Sequence, residues 1–200
     1  MTHSNKPTIY LASASPRRGQ LLTQVGIPFE RLACDIDETP HEGEAPAHYV
    51  VRLAREKAAA ALARLAQSGA ETRLVLAADT TVTLDGEILG KPADAAEARA
   101  MLSRLSGKRH QAMTGVAVAG QGRIETALSI SDVTFRPLEP AEIDAYVASG
   151  EPMDKAGAYG LQGLGSVLVA EMRGSFSGVI GLPLSETVEL LRRMGYPFWG

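Results

Sequence analysis

The chain has 200 residues, enough to bury a core as one globular domain or two tightly joined lobes. With 45% hydrophobic and 22% charged residues, a net charge of -3 and a single cysteine, it is neither a disordered chain nor a disulfide scaffold, and it lacks the basic excess that broad binding to nucleic acid or anionic membrane requires. The 4 histidines (His3, His41, His48 and His110) show no zinc-ligand spacing, and no apolar run approaches the roughly 18 residues of a membrane span, so a cytoplasmic setting is expected.

Residues 8–12 predict a strand, 16–25 a helix closed by Gly26, and 27–33 a second strand, which is the β-α-β opening of an α/β fold. A long helix is expected over about residues 46–67. The apolar run at 72–79 suits a buried strand whose last residue is Asp79. Residues 81–89 alternate and carry Asp85-Gly86, a dipeptide of tight hairpin turns. Residues 93–105 predict a helix ended by Ser106-Gly107. Two strands follow, at 110–120 and 123–138, pairing across Gln121-Gly122. A short helix at 139–150 stops at Gly150, and a last one starts at Pro183 and ends at Gly195. The glycine-rich stretch at 155–166, KAGAYGLQGLGS, reads as irregular. It has neither the Rossmann glycine register nor a P-loop, so nicotinamide cofactors and P-loop nucleotide binding are not supported.

Several places carry residues that could do chemistry. In SASPRR, Ser15 is a suitable N-cap and Pro16 suits the first helical position, so free N–H groups and the positive end of the helix dipole sit beside Arg17 and Arg18. Cations there are unfavourable unless an anion compensates them, which points to phosphate; arginines salt-bridged elsewhere are the other reading. In the long helix, Val50, Leu53, Ala54, Ala58, Ala61, Leu62 and Leu65 form an inward stripe that also contains Lys57. Its amine must meet an anion or snorkel to water. Lys91, beside Pro92, is equally open. Asp79, at the carboxyl end of a predicted strand, is placed to act as a base or metal ligand, or else to make an Asx turn. The run CDIDETP adds Asp35, Asp37 and Glu38, one of which could share a hard cation with Asp79. Cys34 has no cationic neighbour in sequence and reads as structural. Together these residues suit metal-assisted hydrolysis of a phosphate ester or anhydride.

In LASASPRRGQLL, DIDETP, YVVRLAREKA, AADTTVTLDGEILGKP, MLSRLSGKRHQAMTGVAV, YVASGEPMDKAGAYGLQGLG and GSFSGVIGLPLSET, the chain resembles the Maf family of nucleoside triphosphate pyrophosphatases, once described as septum-formation inhibitors. The resemblance spans nearly the whole chain. It implies a single domain over residues 1–200, with an elongated twisted mixed sheet flanked by helices and two lobes around a central nucleotide-binding cleft. It also implies a divalent cation, Mg²⁺ or Mn²⁺, and members that are often dimeric. Carried over by position, it makes Asp79 the proton acceptor and, with Glu38, a metal ligand. Lys57 and Lys91 become catalytic cations, and Ser13, Arg17 and Arg18 line the phosphates. Arg17, Thr80 and Gln162 match the group that prefers dTTP and UTP; the 7-methyl-GTP group carries a bulky aromatic, Gln and Glu there. DETP and GEILGKP look more like that second group. The implied reaction gives a nucleoside monophosphate and pyrophosphate, and extends to clearing modified pyrimidine nucleotides. A 7-methyl-GTP pyrophosphatase and a nucleotide-binding regulator of cell division are the alternatives.

Overall fold

In a computed structural model of the chain, residues 6–32, 34–69 and 73–199 are described. His3 and the predicted strand boundaries at Thr72 and Ala33 lie outside them. Strands β1 (Ile9–Leu11), β2 (Phe29–Arg31), β3 (Val75–Leu84), β4 (Glu87–Leu89), β5 (Arg109–Gly120), β6 (Arg123–Phe135) and β7 (Val169–Arg173) form a mixed sheet in the order β2-β1-β3-β5-β6-β7, with β4 paired to β3. The helices are α1 (Pro16–Gln24), α2 (Pro46–Ser68), α3 (Ala95–Leu105), α4 (Pro140–Ala148), α5 (Phe176–Ile180) and α6 (Leu184–Arg193). The expected α/β class, with its mixed sheet flanked by helices, is what the chain adopts.

Local sequence explains most of these elements. The crossover through α1 sets β1 parallel to β2, and β1 is also parallel to β3. The β3–β4 hairpin pairs Val82 with Leu89 around Asp85 and Gly86, whose φ values of 53° and 84° are those of a mirror-image type I turn. Asp94 caps α3 by accepting from the Glu97 N–H at 2.8 Å. Two elements went unanticipated. β7 shows no apolar alternation in Val-Ala-Glu-Met-Arg because it is largely exposed and pairs with β6 alone. α5 is only five residues long, too short to show a helical period.

Asp79 departs from its expected position. It does not end a strand but lies in the middle of the ten-residue β3. The strand continues because Val82 and Leu84 keep burying apolar side chains beyond it. The parallel partner β1 reaches β3 only at Val75 and Leu76, and the β4 register begins at Val82. Asp79 therefore sits in the interval between those two registers.

The chain divides into two compact units, each with its own core. The first comprises Met1–Asp79, Thr114–Leu128 and Gly181–Gly200. Its centre is alanine-rich: Ala54, Ala58 and Ala61 of α2 pack with Ala77 of β3 and Ala117 and Ala119 of β5. Small side chains let helix and sheet approach closely. At Gly115 the approach is backbone to backbone, since a Cβ there would lie 2.3 Å from the Val50 carbonyl oxygen. The second unit comprises Thr80–Met113 and Ser129–Ile180. It packs α3 and α4 over larger side chains, among them Leu102, Phe135, Val133 and Tyr159.

Candidate active site

In the first unit the close seating of α2 brings Lys57 to the middle of β3. The Lys57 Nζ lies 2.7 Å from Asp79 Oδ1 and 2.6 Å from Glu38 Oε1. The Lys57 and Asp79 side chains are only 12% and 11% exposed, whereas Glu38 is half exposed. The lysine in the apolar stripe thus meets anions and does not snorkel outward. A buried amine and a buried carboxylate are each costly alone, so each makes the other tolerable. The Asx-turn reading of Asp79 fails with the same observation.

Glu38 is held by groups that sequence reasoning passed over. The Tyr49 hydroxyl donates to the Glu38 carbonyl at 2.9 Å. Arg52, one turn along α2, donates through Nε and Nη2 to the two Glu44 oxygens at 2.6 and 2.7 Å, through Nη1 to Glu56 at 3.2 Å, and through Nη2 to the Thr39 carbonyl at 3.2 Å. The Arg52 fork pulls the Glu44 carboxyl down to about 2 and is itself raised by it. Burial, with the nearby Asp79 and Glu38 charges, pushes Tyr49 up to about 12. The acidic segment is therefore fastened to α2 at Glu38 itself and just beyond it, at Thr39 and Glu44. The available signal was the spacing of Tyr49 and Arg52, three apart on one face of α2.

The start of α1 is wired differently from the expected cap. Ser15 occupies the N-cap position, but its side chain makes no capping hydrogen bond. Ser13, buried, makes a different contact: its Oγ accepts from the Ser15 N–H at 3.2 Å and from Arg18 Nη1 at 2.9 Å. Arg18 Nε also donates to the Gly181 carbonyl at 2.8 Å. Burial lowers the Arg18 pKa, and Arg17 adds to that, while Asp79 and Glu38 oppose it. Arg18 thus braces Ser13 and Gly181, and Arg17 stands half-buried beside it. Ser13, Arg18, Glu38, Lys57 and Asp79 form one cluster of alternating charge.

The other expected site residues belong to the second unit. Thr80 follows Asp79 on β3 and is half-buried; Lys91 and Gln162 are exposed. The Gly90 carbonyl beside Lys91 accepts from the Gly157 N–H at 3.0 Å, which ties the Lys91 segment to the glycine-rich stretch. That stretch folds as the 3₁₀ turns Ala156–Ala158 and Gly163–Leu168, as irregular as its sequence predicts. Gln162 directly precedes the second turn.

No group of three or more His, Cys, Asp or Glu among the described residues is arranged to hold a metal. The donor chemistry nevertheless fits a hard cation: Glu38 and Asp79 each direct one carboxylate oxygen at a single positive centre, the Lys57 ammonium. Mg²⁺ is commonly held by one or two carboxylates and completed by substrate phosphates and water. Chemically, the cluster offers a carboxylate able to take a proton, placed among cations able to balance a polyanion.

The chain is similar to known proteins over nearly its whole length. Over 198 residues the chain is 52% identical to the dTTP/UTP pyrophosphatase of Aromatoleum aromaticum, covering 94% of this chain and 96% of that one. It is 56% identical over 195 residues to the dTTP/UTP pyrophosphatase of Myxococcus xanthus, covering 98% and 96%. Among solved structures, the Staphylococcus aureus Ham1 protein is similar at 15% identity and a TM-score of 0.44, over 64% of this chain and 72% of that one. Residues 8–194 match the family model described as Maf-like protein, and the chain belongs to that family.

Proposed function

We propose that this protein hydrolyses dTTP and UTP between the α and β phosphates, releasing the nucleoside monophosphate and pyrophosphate. The observation that carries the reading is the Lys57 ammonium held between Asp79 and Glu38 at 2.7 and 2.6 Å. The names of the full-length relatives supply the substrate class.

In this reading Asp79 accepts a proton from a water molecule as the water oxygen bonds to the α-phosphorus and the bond to the bridging oxygen of the β-phosphate breaks. Lys57 keeps Asp79 and Glu38 aligned and contributes positive charge. Arg17, Arg18 and Lys91 balance the triphosphate and the charge that builds on the leaving pyrophosphate. Ser13, fixed by Arg18, lines the phosphates. Glu38 and Asp79 would hold the divalent cation, which when bound supplies charge neutralisation and Lewis acidity toward the phosphate oxygens. Arg17, Thr80 and Gln162 select the base. The Gln162 amide both donates and accepts, matching the O4 acceptor and N3–H donor of uracil and thymine, whereas a carboxylate suits the donor edge of guanine.

The test is pyrophosphate release from UTP, dTTP, CTP, GTP and 7-methyl-GTP with Mg²⁺ or Mn²⁺. Fastest turnover of UTP and dTTP is expected. Preference for 7-methyl-GTP would overturn the base assignment while keeping the chemistry, and no turnover of any nucleotide would overturn the enzyme reading.

A further inference from the structure

Glu151 has no part in the chemistry above, yet it is among the most fully used carboxylates of the second unit. It opens the 3₁₀ turn Glu151–Asp154. Its Oε2 accepts from the Leu164 N–H at 2.9 Å; its Oε1 accepts from the Gly165 N–H at 2.9 Å and from the Tyr146 hydroxyl at 3.0 Å. Burial opposes its ionisation, but these donors outweigh burial and hold its pKa below the ordinary carboxylate value. Tyr146 is itself buried in α4. One side chain therefore ties two successive backbone amides of the glycine-rich stretch to a helix.

The surroundings leave this tie no slack. A Cβ at Gly163 would lie 2.6 Å from Glu151 Oε2, and Gly163 also has a φ of +76°. A Cβ at Gly165 would lie 2.4 Å from the Gly160 carbonyl oxygen and 2.6 Å from the Tyr146 hydroxyl. The backbone passes this close to the carboxylate only because both positions are glycine. Gln162 is the residue immediately before the clamped turn, and its own side chain is exposed. What sets the direction of that amide is the path of the backbone behind it.

We propose that Glu151 is a positioning residue for base selection: its carboxylate fixes the backbone at 163–165 and thereby presents the Gln162 amide to the uracil or thymine edge. This role rests on the reading that Gln162 meets the base. A carboxylate is required, because all three partners approach as donors. With Glu151→Gln, either orientation of the new amide turns its NH₂ toward the Leu164 or the Gly165 N–H, donor against donor. Glu151→Asp keeps the charge but is one methylene short.

Two measurements on the full chain test this. The first is amide hydrogen exchange at Leu164 and Gly165 without nucleotide. The second is kcat and KM for UTP, dTTP, CTP and GTP. Glu151→Gln is expected to speed exchange at both amides and to cut selectivity for UTP over CTP by roughly tenfold, the worth of one well-made hydrogen bond, with the loss falling on KM more than on kcat. Unchanged exchange would overturn the clamp. Faster exchange with unchanged selectivity would overturn the positioning role, and so would a loss confined to kcat across all four nucleotides. A wild-type protein without preference for UTP or dTTP would overturn the base assignment itself, an outcome distinct from both. If Glu151→Gln does not fold, Glu151→Asp enters the same assays under the same criteria.

Discussion

Around Asp79, oppositely charged side chains meet within 2.7 Å and hold one another in place; around Gln162, a glycine-rich backbone is tied to one carboxylate while the side chain stands in solvent. The first arrangement fixes functional groups through their own charges, so changing any one disturbs its neighbours. The second fixes the backbone and leaves the functional group to be exchanged without disturbing its support. In the proposed enzyme this divides the labour: reaction chemistry belongs to the coupled cluster, and base choice to the replaceable residue. Such a division lets substrate preference vary while the hydrolytic apparatus stays as it is.

The comparison is tested most severely at Asp79. Asp79→Asn retains the shape but removes the proton acceptor, and pyrophosphate release from UTP should fall by roughly 10²- to 10⁴-fold. A smaller fall would deprive the coupled cluster of its central role. Next in size is Arg52→Gln, which frees Glu44 and the Thr39 carbonyl and so loosens the segment that carries Glu38. A residue supporting a metal-binding carboxylate typically affects activity or metal affinity by roughly 10- to 100-fold. The Mg²⁺ concentration for half-maximal rate should rise accordingly for every nucleotide alike. Gln162→Glu should instead move kcat/KM between nucleotides, against UTP by about tenfold, as read from a panel of five substrates. Equal effects on all five would erase the distinction between the regions.

A change of pH acts on stability rather than on turnover. His110 is buried, its Nε2 is 2.9 Å from the Tyr159 hydroxyl, and both rings stack edge-on with Phe135. Burial lowers its pKa from 6.5 to about 4. The unfolded chain therefore binds a proton below pH 6.5 that the folded chain refuses until about 4, and stability should decline as pH falls across that window. The Arg52–Glu44 clamp behaves differently: Glu44 is held near 2 against an ordinary 4.5, so its contribution persists until the pH falls below 4.5. Urea midpoints measured from pH 7 to 4 should drop, and His110→Gln should flatten the upper part of that drop. An unchanged slope would remove His110 as the cause.

How much of this was legible in the sequence depended on whether a residue broke a pattern. Lys57 stood out because it interrupted an apolar helical stripe, and its unusual surroundings are what the fold shows. Arg17 and Arg18 stood out against the helix dipole, although Arg18 turns out to brace the protein's own carbonyl and hydroxyl groups. Asp79 was noticed for a partly mistaken reason: the end of an apolar run resembled the end of a strand, whereas pairing with successive neighbours carries β3 through it. Arg52 and Glu44 broke no pattern, since a charge on the polar face of a helix or in the loop before it is ordinary. Glu151 was invisible in a stricter sense. Its partners are mostly backbone N–H groups, which every residue possesses and no sequence distinguishes.

The contact at Gly115 reaches further than packing. Because the sheet touches the α2 backbone at Val50, any side chain at position 115 lifts the helix, and Lys57 rides on that helix about two turns further along. A random screen for inactive variants should therefore return substitutions at a residue with no side chain at all, and graded replacements there offer a lever for tuning the lysine's distance from its carboxylates without touching a single charged group.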